Sequence, residues 1–260
     1  MGEQTAKGWQ MTSTAAAVIL AAGQGKRMHS DLPKVAHLCA GKPLVSWVAD
    51  AARAAGANPV IAVIGHGADV VRRLVPDLTF ALQPEQRGTG DAVRCAMPAL
   101  RDAGFSGPVL VLNGDSPLIT PATIRRLADT QAATGAAMVA LTCNLENPFG
   151  YGRIIRDAET GDVLRIVEQK DCTPEEAAIT ECNAGFYCFD SEALADALSR
   201  LTSDNAQGEY YLTDVLELSR AAGRRVVACM AEDLTECLGV NTPEQLAAAE
   251  AVMQERLARD

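Results

Sequence analysis

The sequence predicts an α/β fold in which a doubly wound, mostly parallel sheet carries a smaller mixed β/α lobe, and three observations lead there. Short β-branched runs alternate with longer helical patterns through the first half of the 260 residues. Glycine-rich loops follow two of those runs, at 22–25 and 88–90. Near Gly150 the alternation stops and a hairpin pattern replaces it.

Taken in order, strands are expected at 16–21, 59–64, 79–82, 108–112 and 136–143. Helices are expected between them at 43–55, opened by Pro43 and closed by Gly56, then at 67–75, 90–103 and 121–134. Thr120 before Pro121 is a good N-cap ahead of a first-turn proline. Alternation of this kind places ligands at the carboxyl ends of the strands. From 150 to 156 and 163 to 167 two short apolar runs flank a Gly161-Asp162 turn and predict a hairpin. A strand at 182–189, helices at 190–201 and 213–222 and a strand at 225–230 are expected to complete the second lobe. Thr242 before Pro243 and Glu244 starts a last helix over 242–259. The expected division is a disordered leader at 1–14, with Met11 an alternative start, then one domain over 15–260. Within it, about 15–145 forms the first part and about 146–240 the lobe. No internal repeat or low-complexity segment is present.

Composition narrows the function. Hydrophobic residues make up 48% and charged residues 22%, a globular balance with enough apolar material for a substantial core. The net charge of −10 argues against nucleic acid or an anionic membrane as partner, since either selects for a basic face. The apolar run 15–22 is far shorter than a membrane span and leads straight into a glycine loop. Eight cysteines contain no C-x-x-C pair, and several sit in strand-like runs such as Phe186-Tyr-Cys-Phe189. Reduced core thiols and a cytoplasmic location are therefore expected. His29, His37 and His66 come without a nucleophile pattern, which disfavours a Ser-His-Asp hydrolase.

Chemistry concentrates in a few strings. Val18-Ile-Leu-Ala-Ala-Gly-Gln-Gly-Lys-Arg-Met-His-Ser-Asp-Leu-Pro-Lys-Val35 ends an apolar strand in Gly23 and Gly25, which let backbone N–H groups approach phosphate oxygens. Arg27 and Lys34 supply counter-charge, a local positive island in an acidic chain. Neither the dinucleotide fingerprint nor a Walker A spacing is matched. Gln83-Pro-Glu-Gln-Arg-Gly-Thr-Gly90 follows the third strand; the Gln83 amide suits the edge of a uracil ring, and the same turn also reads as an ordinary glycine-rich helix start. Asn113-Gly-Asp115 ends the fourth strand, where a carboxylate is costly unless paired or bound to a cation. Mg²⁺ fits such a position.

These strings resemble the signature of the sugar-1-phosphate nucleotidyltransferases. Ser30-Asp-Leu-Pro-Lys-Val35 followed by Gly41-Lys-Pro43 is similar to N-acetylglucosamine-1-phosphate uridyltransferases in particular, over residues from about 16 to 250. The resemblance implies a Rossmann-like nucleotidyltransferase fold. It further implies Mg²⁺-dependent uridylyl transfer from UTP to N-acetylglucosamine 1-phosphate, giving UDP-N-acetylglucosamine and pyrophosphate. It assigns nucleotide contacts to Leu20, Ala21, Ala22, Gly23, Lys34, Gln83, Gly88, Thr89, Asn113 and Gly114, and catalysis to Arg27, Lys34 and Asp115. Metal ligation falls to Asp115 and to Asn241 in Leu238-Gly-Val-Asn241, a residue that on its own reads equally as a helix cap before Thr242. The lobe is implied to bind the sugar through Gly152, Glu168, Asn183 and Tyr211. Glu168 alone reads as a solvated hairpin charge, and the Tyr210-Tyr211 pair alone reads as core or pocket wall. The family usually carries threonine at the place of Lys26, tyrosine at Asn113 and threonine at Ala184. Many relatives add a hexapeptide-repeat acetyltransferase domain; with no repeat in these 260 residues, neither acetyl-CoA chemistry nor the repeat-built trimer is expected. The rival readings are a nucleotidyltransferase for another sugar or base and a catalytically silent nucleotide-sugar-binding protein.

Overall fold

The computed structural model describes residues 15–259. The expected leader at 1–14 and the alternative start at Met11 lie outside the described residues. The elements run β1 (Ala16–Ala21), a small hairpin β2 (Leu38–Cys39) and β3 (Lys42–Pro43), α1 (Leu44–Ala54), β4 (Val60–Ile64), α2 (Ala68–Leu74), β5 (Thr79–Leu82) and α3 (Thr89–Asp102). They continue through β6 (Val109–Asn113), α4 (Pro121–Thr134), β7 (Met138–Asn144), β8 (Arg153–Arg156), β9 (Val163–Val167) and α5 (Pro174–Ala177). The chain then forms β10 (Glu181–Phe189), α6 (Ser191–Arg200), α7 (Asp214–Ala221), β11 (Val226–Met230) and α8 (Pro243–Leu257).

The central sheet has the order β11-β7-β10-β6-β1-β4-β5. Every neighbouring pair is parallel except those made by β10, which runs antiparallel to both β6 and β7. One apolar layer joins α1, α2 and α4 to one face, and a second joins α3, α6 and α7 to the other. This is the doubly wound α/β arrangement.

The expected lobe is smaller than the sequence reading allotted. The strands at 182–189 and 225–230 belong to the central sheet, where β10 sits between β6 and β7 and β11 forms an edge. The reason is burial on both faces of β10. Cys182, Ala184, Phe186 and Cys188 enter one apolar layer, while Tyr187 and Phe189 enter the other. A strand covered on both sides reads as a near-continuous apolar run, and Asn183-Ala-Gly-Phe-Tyr-Cys-Phe189 is nearly that. What stands off the main path is the β8–β9 hairpin, tied to β10 through Cys182 opposite Arg153, together with α5.

Two local features position the site. The β10–β7 pairing shifts register between Asn183 and Tyr187, and Gly185 takes a positive φ of 78° there. A bulge of this kind bends the strand and re-aims its side chains. At the other end of the fold, α8 packs Ala249 and Met253 against Met28, Leu118 and Val240, which fixes the approach of the 238–241 loop. Among the described residues no helix is long and apolar enough to cross a membrane, and all eight cysteines are unpaired.

Candidate active site

β1 and β6 are adjacent and parallel, with Leu20 opposite Asn113, so the glycine loop and the Asn113-Gly-Asp115 turn leave the sheet side by side. Gly114 donates to the Leu20 carbonyl at 3.0 Å, and a Cβ on Gly114 would stand 2.8 Å from that oxygen. The glycine loop closes over this edge. Gly25, at φ 69°, lies so near the Lys34 stem that an added Cβ would come within 2.6 Å of it. Arg27 rides on a 3₁₀ turn, Lys26–Met28, and Lys34 on the next, Lys34–Ala36.

Four side chains then meet. Lys34 Nζ pairs with Asp115 Oδ2 and donates to Asn241 Oδ1 at 2.9 Å, and Arg27 donates to the same Asn241 oxygen at 3.0 Å. The open choice at Asn241 is narrowed by its neighbours. Thr242 caps α8 by accepting from Gln245 N, and Gln245 Oε1 accepts from Asn241 N at 2.8 Å. The Asn241 side chain is thereby left to the two cations rather than to the helix.

The donor set fits a hard divalent cation. Asp115 and Asn241 turn oxygens toward a common ammonium, and a Cβ placed on Gly239 would lie 3.5 Å from Ser116 Oγ, 3.6 Å from Asn241 Nδ2 and 3.9 Å from Asp115 Oδ1. A Cβ at 239 would therefore touch these groups at ordinary contact distance. Among the described residues no group of three or more His, Cys, Asp or Glu side chains could hold a metal. A cation here would rest on two protein oxygens, with phosphates and water completing its shell, as Mg²⁺ commonly does.

Two cavities open from this point, of about 240 Å³ and 390 Å³, and both are lined by Leu20, Thr89, Asn113 and Asp115. The smaller is also lined by Ala22, Gly23, Lys34, Gln83 and Gly88. Gln83 is buried there, and its amide NH₂ donates to Gly88 O at 3.1 Å and Asp91 Oδ2 at 3.0 Å. Gly88, at φ 108°, is wedged against Tyr210, whose backbone carbonyl oxygen would sit 2.6 Å from an added Cβ.

The larger cavity adds Arg27, Gly152, Glu168, Asn183 and Asn241. Glu168 is not the solvated hairpin charge that composition suggests: burial pushes its carboxyl pKa up, the Thr213 hydroxyl donating to it opposes that, and Asp214, Asp171 and Glu209 add to the rise. Asn183 donates to the Tyr187 hydroxyl at 2.6 Å and accepts from Gly185 N at 3.1 Å, so it is held rigidly in the bulge. Asn113 fills the space above Gly185, where any Cβ would collide with its amide nitrogen.

Three expected contact residues line neither cavity. Ala21 points into the core and Gly114 packs against Leu20 O. The Tyr211 hydroxyl donates to Asp171 at 3.2 Å and accepts from Gln207 at 2.9 Å, a brace behind the cavity rather than a wall of it. Sequence reasoning in turn passed over Gln86, Ser116, Phe149 and Thr213, all of which line the cleft. Each is within two residues of a string already singled out, so adjacency was the available signal.

Comparison with known proteins agrees with this geometry. The family model of the MobA-like NTP transferase domain matches residues 17–226. The chain is 51% identical over 248 residues to the bifunctional protein GlmU of Geobacter metallireducens, covering 94% of this chain and 52% of the relative. Against bifunctional protein GlmU of Pelobacter propionicus identity is 49%, over 94% of this chain and 53% of the relative, and against that of Burkholderia mallei it is 52%, over 93% and 52%. The chain thus spans about half the length of the curated relatives it matches. With the glycine loop, the Gln83 turn, the Asp115 turn and the β10 bulge all inside the matched range, the chain belongs to the MobA-like NTP transferase family and is a nucleotidyltransferase.

Proposed function

We propose that the cleft transfers a uridylyl group from UTP to N-acetylglucosamine 1-phosphate, releasing pyrophosphate. The observation that carries this reading is the meeting of the two cavities at Asp115: one substrate from each side brings its phosphate to the same carboxylate. The base side favours uracil. With the Gln83 NH₂ spent on Gly88 and Asp91, its carbonyl oxygen remains to accept the N3–H of uracil, a donor that cytosine lacks. The sugar side offers a half-buried carboxyl, a fixed amide and the backbone of Gly152, groups suited to hydroxyls and an acetamido substituent.

In this reading a phosphate oxygen of the sugar phosphate attacks the α-phosphorus in line, the bond to the β-phosphate oxygen breaks, and the electron pair leaves on pyrophosphate. The nucleophile is already anionic, so no general base is needed. Rate enhancement comes from aligning two anions and neutralising the leaving group. Gly23 and Gly25 bring backbone N–H groups to the triphosphate, and Lys34 and Arg27 exchange their bonds to Asn241 and Asp115 for phosphate oxygens. Mg²⁺ held by Asp115 and Asn241 would supply further neutralisation and orient the phosphates.

The test is pyrophosphate release measured for the four nucleotides against a panel of sugar 1-phosphates. UTP with N-acetylglucosamine 1-phosphate is expected to be fastest. A faster pair, or release from none, overturns the assignment.

A further inference from the structure

Phe149 is the most exposed large apolar side chain among the described residues, at 77%, and it lines the rim of the larger cavity. Its backbone, by contrast, is anchored on both sides. Phe149 N donates to Asn147 Oδ1 at 3.2 Å, Gly150 N to Gln169 Oε1 at 2.9 Å and Tyr151 N to Pro148 O at 3.2 Å. Beneath them lies Arg153, 1% exposed and facing no carboxylate. Its guanidinium donates to Tyr151 O, to Gln169 Oε1 at 2.8 Å and to Ala177 O at 3.3 Å. A buried arginine spent on backbone and amide oxygens is an expensive brace, and what it braces is the stretch that presents an unburied ring. Gly150, at φ 90° with no atom within 4 Å of an added Cβ, keeps the space beside that ring open.

We propose that Phe149 is a sugar-recognition residue that stacks on the pyranose face opposite the anomeric phosphate and thereby selects the configuration at C4. The inference rests on the functional reading above. Gly152, Glu168 and Asn183 line the same cavity and supply polar partners for the hydroxyl edge, while Phe149 supplies an apolar face. In an α-configured gluco sugar 1-phosphate the phosphate is axial on one face. The other face shows only C–H groups at C2 and C4, the surface that an aromatic ring covers well. A galacto sugar places its axial O4 on that same face, so the ring would desolvate a hydroxyl for which Phe149 offers no partner.

The test compares wild type with Phe149→Ala and Phe149→Trp, measuring KM for UTP, for N-acetylglucosamine 1-phosphate and for its C4 epimer, with thermal melting alongside. Phe149→Ala is expected to raise the KM for the gluco sugar about five- to tenfold with kcat and the UTP KM unchanged, the pattern of a lost ground-state contact. The gluco-to-galacto ratio of kcat/KM is expected to narrow, Phe149→Trp to restore it, and the melting temperature to stay put because the ring is exposed. An unchanged sugar KM, an equal shift in the UTP KM, or an unaltered epimer ratio overturns the proposal. Should wild type turn over a different sugar 1-phosphate fastest, the functional reading falls, and the Phe149 comparison is then read on that sugar and its C4 epimer.

Discussion

The two walls of the cleft are built by different means. The wall lined by Gly23, Gln83 and Gly88 is made by loops leaving the parallel strands β1, β5 and β6, and glycines hold its shape: Gly88 lines it and Gly25 and Gly114 support its loops, each standing where a Cβ would meet a neighbour at 2.8 Å or less. The wall lined by Glu168 and Asn183 comes from the β8–β9 hairpin and the bulge of antiparallel β10; Gly152 and Gly185 shape its backbone, and side chains supply most of its polar groups. Its polar groups are already tied to one another, Asn183 to Tyr187 and Glu168 to Thr213. A backbone-made wall tolerates little change in shape. A side-chain wall can change one residue at a time, so selectivity is the property that drifts there.

The sharpest break in this picture comes at a charged residue both walls share. Asp115→Asn keeps the shape but removes the charge that pairs with Lys34 and suits a metal. Losing that ligand is expected to cost about 3 kcal/mol or more of transition-state stabilisation, at least ~100-fold in kcat, with the melting profile intact. Near-wild-type turnover at saturating Mg²⁺ would remove Asp115 from the metal site.

Next in size are Lys34→Ala and Arg27→Ala. Both cations donate to Asn241 and stand ready for charge that shifts onto pyrophosphate. Each loss is expected to cost about 2 kcal/mol, roughly 30-fold, and to fall mainly on kcat. If only the UTP KM rose, the residue would be a binding clamp and the backbone wall would own catalysis less than the comparison holds.

A third test addresses the side-chain wall through Glu168. Its folded pKa is raised, chiefly by burial, so the folded chain binds that proton more tightly than the unfolded chain does. The associated stability is fully present below the ordinary carboxylate range and is lost as pH rises through the raised folded value. Glu168→Gln abolishes the titration. Thermal melts of the two proteins are expected to coincide near pH 4 and to separate toward pH 7 in the variant's favour, while the sugar KM rises. A melting difference independent of pH would mean that the two chains differ by packing alone.

The same contrast decides how much was legible in the sequence. The strand-loop strings of the backbone wall are contiguous, so Gly23, Arg27, Lys34, Gln83 and Asp115 announced themselves by glycine spacing and by charge at strand ends. The side-chain wall is assembled from positions between 149 and 213, and no local pattern states that Glu168 faces Thr213 or that Asn183 sits in a bulge. The resemblance pointed to those residues where periodicity had nothing to say. It also drew in Tyr211, whose hydroxyl is spent on Asp171 and Gln207 behind the cavity. The place of β10 in the main sheet was readable from its unbroken apolar run, but the hairpin before it suggested a separate lobe. Strand order is a long-range property, and a turn reports only its own neighbours.

The smallest expected effect is also the one that most sharpens the comparison. Ala184 is buried at the β10 bulge, lines the larger cavity and stands between Asn183 and Gly185, at a place where the family resemblance implies threonine. Asn113, where the same resemblance implies tyrosine, packs over Gly185. In the proposed function both positions would lack a hydroxyl beside the sugar, while the phosphate-handling residues are untouched. N-acetylglucosamine 1-phosphate is therefore expected to remain preferred, with weakened discrimination against glucose 1-phosphate. Restoring the hydroxyl in Ala184→Thr is expected to widen the kcat/KM ratio of the two sugars by about 1–1.4 kcal/mol, roughly five- to tenfold, with the UTP KM unmoved. The melting temperature of the variant serves as the control, since a bulge that cannot admit the extra atoms would show as lost stability. If glucose 1-phosphate proves the better substrate, or if the threonine leaves the ratio as it was, selectivity does not reside in the bulge. The drift assigned to the side-chain wall would then have to come from Asn113, which rises from the end of a parallel strand and belongs as much to the other wall.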